Sequence, residues 1–485
     1  MRKCEIIELT EKLFFRTHIK ERRFYNEARI KVTRKEARKR LDQLNLACEL
    51  AKTIRHFFPE LVSMLRNLPD PRHPSYITYP SAILLMTRIL SSLFYISSMR
   101  KASEEFNSAT AIENIWTLCG ESSAGEELPY WETINRYLER VNPSGLQDIL
   151  CRLCRRLIRS RKFEGAKIRG KYWQVIIDGT QLHSSRGKLD ESSLYRIHKK
   201  GTKEEYKESY YYVLEAKLVL HPGIVVSIMT EFVENRDKGE LEKQDCERKA
   251  CWRLMKKLKK EFPRLPLCVC VDSLYTCERF FKECVEKGWK YILRFKEGSI
   301  PCVSEEYESL KKRETNSWKE RVKEGWDKYD YVNGIDYNGN EVNVAEKEEK
   351  REKEIKKGKQ KGKKRNVYKR FLFLSSLPLS KRNVAGVVEK GRNRWKIENE
   401  GFNTQKKQGY CLEHQYSKKY TGMKNHYYLI QIGHMIAQVM ERREKIWEPI
   451  RQSREQKHRR ILESFKGTRL REILFEEKRI QMRLI

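Results

Sequence analysis

The chain offers no segment suited to entering or crossing a membrane. Met1-Arg2-Lys3-Cys4-Glu5 lacks the apolar core of a secretory signal. The longest apolar run, Ala82 to Ser97, is interrupted by Arg88 and too short to span a bilayer. A zinc-binding pattern is missing too. Thirteen cysteines give a single CxxC, Cys151 and Cys154, in a basic helical stretch without a second CxxC or His pair to complete four ligands. The other cysteines are scattered, some inside apolar runs such as Leu267-Cys268-Val269-Cys270-Val271. That usage fits small buried thiols in a reducing compartment, not a disulfide framework. Acidic residues are scarce relative to basic ones: 67 Asp+Glu against 102 Lys+Arg leave a net charge of +35. Such an excess repels itself in a compact state unless a polyanion neutralises it. A solvated basic surface would give the same count, but nucleic acid is the expected partner, with strongly salt-dependent binding.

What is present is ample for a large fold. A length of 485 residues allows two to four domains, and 39% hydrophobic with 11% aromatic residues fits a globular chain. The front third reads as all-α and basic. Lys31 to Arg40 carries six basic residues, Asp70-Pro71-Arg72-His73-Pro74 is a loop, and helical periodicity runs from Ser81 to about Phe106 and again over 128 to 163. This region is either a DNA-binding unit or a packing platform, and its charge favours the former.

At Lys171 the pattern changes. Tyr172 to Ile177 is a β-branched and aromatic run ending at Asp178-Gly179, and Tyr210 to Leu220 and Ile224 to Met229 flank His221-Pro222-Gly223 as a hairpin. Glu240 to Glu261 reads as a helix, Leu267 to Val271 as a buried strand ending at Asp272, Thr276 to Lys287 as a helix and Trp289 to Phe295 as a strand. The order is that of a mixed α/β sheet. Lys296 to about Arg370 is charged and irregular and holds Trp318 and Trp326; its run Glu346 to Arg365 is expected to be a mobile loop. Phe371 to Ser375 returns as a strand, Ser380 caps a helix from about Lys381 to Lys407, and the rest is helical with a basic tail.

Two apolar strands thus end in an acid, Asp178 and Asp272. A carboxylate at a strand end sits at the rim of the core, and two from adjacent strands can bridge hard cations; a helix cap or turn Asp gives the same pattern. On the late helix, a step of about 100° per residue puts Val384, Val388, Trp395 and Phe402 on one buried stripe. Glu398 then lies roughly 60° from Trp395, one turn after Arg394, while Glu400 lies roughly 140° away and faces solvent. Glu398 can therefore reach a site at the sheet edge, unless it is only an i,i+4 surface partner of Arg394.

Taken together, Asp178-Gly179-Thr180, Asp272-Ser273-Leu274-Tyr275 and Arg394-Trp395-Lys396-Ile397-Glu398 resemble the catalytic segments of bacterial insertion-sequence transposases with a DDE triad. The likeness is to the subgroup with a β-rich insertion between the second Asp and the Glu. The resemblance covers roughly residues 70 to 440. That family's Glu-bearing helix carries Tyr, Arg, Glu and Lys. Here Arg394 and Glu398 fit, but Gly391 stands at the Tyr place and Gln405, with Lys406 adjacent, at the Lys place. Glu400 stays an alternative third carboxylate.

The resemblance implies an RNase H-like mixed sheet with flanking helices, preceded by an all-α region and interrupted by an insertion. The expected divisions are 1–165 helical, 166–296 first catalytic part, 297–376 insertion, 377–440 last catalytic part and 441–485 basic tail. It implies Asp178, Asp272 and Glu398 as catalytic metal ligands for two Mg²⁺ ions, with Mn²⁺ able to substitute. Arg394 and Lys406 would contact phosphates, and Trp318 or Trp326 would stack on a displaced base. His183, close after Asp178, is expected to make a local hydrogen bond. The implied activity is cleavage and strand transfer of DNA at terminal inverted repeats and target DNA by a homodimer. It would act in the bacterial cytoplasm, on the nucleoid when DNA-bound, with no membrane partner. The alternative is a descendant that binds DNA without cutting it.

Overall fold

The computed structural model describes residues 44–121, 127–235, 246–314, 316–322, 324–354, 362–443 and 452–471. The basic run Lys31 to Arg40 lies outside the described residues, as do parts of the C-terminal tail.

The centre is a mixed sheet. Strand β1 (Trp173–Ser185) pairs in parallel with β5 (Leu267–Val271), and β5 in parallel with β6 (Lys290–Phe295). On the other side β1 meets β3 (Tyr206–His221) in antiparallel fashion, and β3 carries both β4 (Ile224–Val233) and β2 (Leu194–His198) on its far edge. The order β4-β3-β1-β5-β6 is the RNase H-like core expected from the sequence. The predicted hairpin forms, with Gly223 at φ 85° in its turn, a region open to glycine without steric cost. β5, the first part of β1 (Trp173–Ile177) and most of β4 are apolar because they are covered on both faces, and all five residues of β5 are buried.

The sheet does not stop at β6. Strand β10 (Lys364–Ser375) pairs with β6, and β9 (Asn340–Glu354), β8 (Gly325–Tyr337) and β7 (Trp318–Val322) follow, giving ten strands in one sheet among the described residues. The insertion is therefore a β-meander grown from the edge of the core. This corrects the expectation of a mobile loop over Glu346 to Arg365: most of that run is paired strand, although residues 355–361 lie outside the described residues. The charges survive there because they are matched. Glu346, fully buried, accepts from Tyr307 Oη at 2.6 Å, Lys311 Nζ at 2.9 Å and Arg370 Nε at 3.0 Å. Lys347 pairs with Asp327 and Glu349 at 2.9 Å each. Cross-strand ion pairs of this kind make strands from a sequence without apolar alternation.

The helical front wraps a helix from the far end of the chain. Helices α1 (Leu46–Phe57), α2 (Leu61–Arg66), α3 (Ser81–Leu93), α4 (Met99–Glu105), α5 (Ala109–Leu118), α6 (Trp131–Leu138) and α7 (Pro143–Arg159) precede the sheet. Among them α1, α3, α6 and α7 pack on a long buried helix, Tyr420–Glu441. Arg88, which breaks the apolar run in the sequence, is enclosed: Nε donates to His426 Nδ1 at 2.8 Å, Nη1 to Ser91 Oγ at 3.1 Å, and the guanidinium lies over Tyr416. The helix Arg454–Gly467, within the predicted tail, docks on α1 and α5. Helix α7 covers the edge of β4. There the CxxC thiols of Cys151 and Cys154 donate to the carbonyls of Ile228 and Ser227 at 3.4 and 3.0 Å. Burial pushes both thiols up, so they close a sheet edge and hold no zinc-ready thiolate.

Candidate active site

Asp178 and Asp272 come together by register. The parallel pairing runs from Trp173↔Leu267 to Ile176↔Cys270, so the two acids stand one pleat further on, at one level. β5 ends at Val271, and Asp272 starts a short 3₁₀ turn, Ser273–Tyr275, where its carboxylate accepts from Leu274 N at 2.9 Å. β1 does not end at Asp178, as the sequence had suggested, but runs on to Ser185. Asp178 therefore sits where β1 outruns β5, its side chain 22% exposed.

Asp178 accepts from Gly179 N at 3.0 Å and from Arg394 Nη1 at 2.7 Å. Burial pushes its carboxyl up to about 6; Arg394 opposes the shift, while the charges of Glu247 and Asp272 add to it. The carboxylates of Asp178, Glu247 and Asp272 thus lie near enough for Asp178 to feel the charges of the other two, with Arg394 as its ion-pair partner among the described residues.

Arg394 arrives on the opposite element. The helix expected over 381–407 is broken into α11 (Val384–Arg392), a π-helical turn Ile397–Phe402 and a short helix Asn403–Lys407. Gln174 on β1 anchors its first part by donating to Lys390 O at 2.8 Å. The break at Asn393–Arg394 and the wider π turn, whose angular step is smaller than that of an α-helix, cancel the helical-wheel assignment made from sequence. Val384, Val388 and Phe402 are buried as expected, but Trp395 is 45% exposed. Glu398 is exposed and Glu400 half-buried, the reverse of the expected order.

The two glutamates go separate ways. Glu400 Oε2 accepts from Gly223 N at 3.0 Å, in the β3–β4 turn. Asp178 lies opposite Glu215, about six residues before that turn, or roughly 20 Å along the strand. Glu398 lies in the π turn after Arg394 and is exposed. It makes no ion pair among the described residues, and no three Asp, Glu, His or Cys side chains among them are closed around a metal position. The donors gathered so far, all carboxylate oxygens, suit a hard divalent cation.

The departures from the family signature have physical causes. A Cβ at Gly391 would lie 2.5 Å from Phe373 and 2.9 Å from Ile292, leaving no room for a tyrosine. Gln405 is buried and donates to Gln431 Oε1 and His434 Nδ1 at 2.8 Å each, where a lysine would lose its solvation. Lys406 pairs with Glu413 at 2.8 Å, and His183 Nδ1 lies 3.2 Å from the carbonyl of the same Glu413.

In the insertion, the two tryptophans lie on opposite faces. Trp318 stacks on its cross-strand neighbour Tyr329 at 5.0 Å, in the row Tyr329, Lys347 and Phe371. Trp326 lies under Lys319 at 4.2 Å, in the row of Lys350 and Tyr368. The Trp318 row meets α11, where Arg392 lies 4.4 Å from the Phe371 ring.

Two neighbours went unnoticed in the sequence. Arg294 on β6 lies over Phe371 and Phe373 at 5.2 Å each, and burial with the charges of Arg392 and Arg394 holds its pKa below the usual value. Glu247 opens α8 (Glu247–Glu261) and accepts from Tyr212 Oη and Tyr275 Oη, each at 2.7 Å. Nothing local marks either residue: an acid in a first helical turn and an arginine in a strand are commonplace.

No curated protein sequence matches the chain. Among solved structures, the cryo-EM structure of the piggyBac transposase synaptic complex with hairpin DNA aligns with a TM-score of 0.39 and 11% identity, over 89% of this chain and 83% of that one. That superposition is too loose to transfer any detail. The family described as Transposase DDE domain matches residues 169–436, which spans more than half of the chain and every element bearing Asp178, Asp272 and Arg394, and the chain belongs to that family.

Proposed function

We propose that the chain is an active DDE transposase that binds the ends of its own DNA element and cuts and rejoins them in cut-and-paste transposition. The observation that carries this reading is the common level of Asp178 and Asp272 set by the register of adjacent parallel strands, with Arg394 reaching Asp178 from the helix break just before the π turn that bears Glu398. Asp178 would bridge two Mg²⁺ ions, with Asp272 and Glu398 each completing one; Mn²⁺ can replace them. Such a pair supplies an activated oxygen nucleophile and neutralises the leaving oxygen at phosphorus.

The chain's own groups do the positioning. Asp178 is held by strand pairing and Asp272 by the 3₁₀ turn it caps, and exposed Glu398 would join them when DNA arrives. Arg394 exchanges its carboxylate for a phosphate oxygen near the scissile bond, with Arg294 and Arg392 extending the positive track toward the insertion. Lys406 would make a more distant phosphate contact. Cleavage adds water to phosphorus and releases a 3′-hydroxyl; in transfer that hydroxyl forms the new P–O bond and the target 3′-oxygen leaves. Trp318, on the face shared with Arg392, is the better placed indole for stacking a displaced base. A homodimer would bring both ends together.

A second reading, a descendant that binds DNA without cutting, is favoured by the absence of a closed three-ligand group among the described residues. The test uses duplexes carrying the DNA that flanks the gene. Mg²⁺-dependent nicking by the wild type, lost in Asp178→Asn, Asp272→Asn and Glu398→Gln with binding intact, supports the enzyme. Binding without nicking at any metal concentration supports the second reading.

A further inference from the structure

We infer that Glu247 is a positioning residue that sets the spacing of Asp178 and Asp272; this rests on the function proposed above. Its two oxygens are divided between a strand and a turn. Oε2 takes the phenol of Tyr212, on β3, and Oε1 takes the phenol of Tyr275, in the turn begun by Asp272. Tyr212 lies across Gly179, so that a Cβ at that position would collide with its phenol oxygen. One carboxylate therefore grips the residue after Asp178 and the turn after Asp272 at once.

The approach comes from the other side of the sheet. Asp178 lies opposite Glu215 and meets Arg394 on the face that α11 covers, whereas Tyr212 shares the face of Gly179 and Leu214. On that second face Glu231, opposite Leu214, pairs with Arg253 of α8 at 2.6 Å. Glu247 thus buttresses the aspartates from behind without competing for their lone pairs. A neutral hydrogen-bond acceptor would satisfy two phenols as well. The carboxylate adds a negative charge that Asp178 feels, and outer carboxylates of this kind orient ligands and strengthen cation binding.

The experiment compares the full chain with Glu247→Gln, Glu247→Asp and the double variant Tyr212→Phe/Tyr275→Phe. Mn²⁺ binding is measured by calorimetry without DNA, and the Mg²⁺ concentration for half-maximal nicking is measured on end DNA. Glu247→Gln is expected to weaken Mn²⁺ binding and raise the half-maximal Mg²⁺ concentration by about tenfold, with DNA affinity unchanged. The double variant should move in the same direction by less, and Glu247→Asp should recover part of the loss. Unchanged Mn²⁺ affinity in folded Glu247→Gln overturns the inference, even if melting temperature falls, because a merely structural residue would do that. A wild type that binds Mn²⁺ but never nicks overturns the proposed function and leaves the calorimetric comparison to decide this one.

Discussion

Replacing Asp178 by Asn should stabilise the metal-free protein near neutral pH while ending catalysis. Asp178 is held at about 6 against a usual value of 3.8, first by burial and then by the charges of Glu247 and Asp272, with Arg394 already opposing them. The folded chain therefore holds this proton more tightly than the unfolded chain. Its contribution to stability is fully present below about pH 4 and is lost as pH rises through about 6. That displacement corresponds to about 3 kcal/mol at pH 7.5, an upper figure because the side chain is 22% exposed. The Arg394 pair is inside that net value, so its loss needs no separate correction. Thermal melts of wild type and Asp178→Asn in chelator, from pH 4 to 8, should show melting points that diverge between pH 4 and 6.5. The variant ends several degrees higher, since about 1 kcal/mol moves a cooperative unit of this scale by 2–4 °C. Adding Mn²⁺ should close the gap by raising the wild type alone. A difference that is flat with pH, or that favours the wild type at pH 7.5, refutes the reasoning.

Other substitutions probe the surroundings. Gly179→Ala should lower metal affinity and nicking together, because the added methyl drives Tyr212 off Glu247; unchanged Mn²⁺ calorimetry would contradict this. Glu346→Ala should cost about 3–5 kcal/mol in denaturant melts, since Lys311 and Arg370 lose a fully buried partner; a loss under 1 kcal/mol would show that the pairing is incidental. Arg294→Ala should reduce the slope of DNA affinity against salt by about one ion if Arg294 lies on the phosphate track; an unchanged slope removes it from that track. Glu398→Gln should abolish nicking and Glu400→Gln should leave it, because Glu400 is held at Gly223; the opposite result would exchange their roles.

Much of the core was legible because its signals are local. The apolar runs ending at Asp178 and Asp272, and the turn His221-Pro222-Gly223, declare strands and a hairpin from spacing alone. What escaped depends on partners far along the chain. Glu346 and Lys347 form strand only because Lys311, Asp327 and Arg370 answer their charges. The wheel that placed Trp395 inward assumed an unbroken α-helix, and a π turn follows instead. Glu247 could not be recognised from its neighbours, because the phenols that define it come from a strand and a turn distant in sequence.

The most direct measurement is the anomalous map of the protein bound to its end DNA and Mn²⁺. Two peaks about 4 Å apart, both touching Asp178, one touching Asp272 and the other Glu398, are the predicted result. Peaks away from Asp178, or a Glu398 carboxylate that stays in solvent while DNA and metal are bound, would contradict the account.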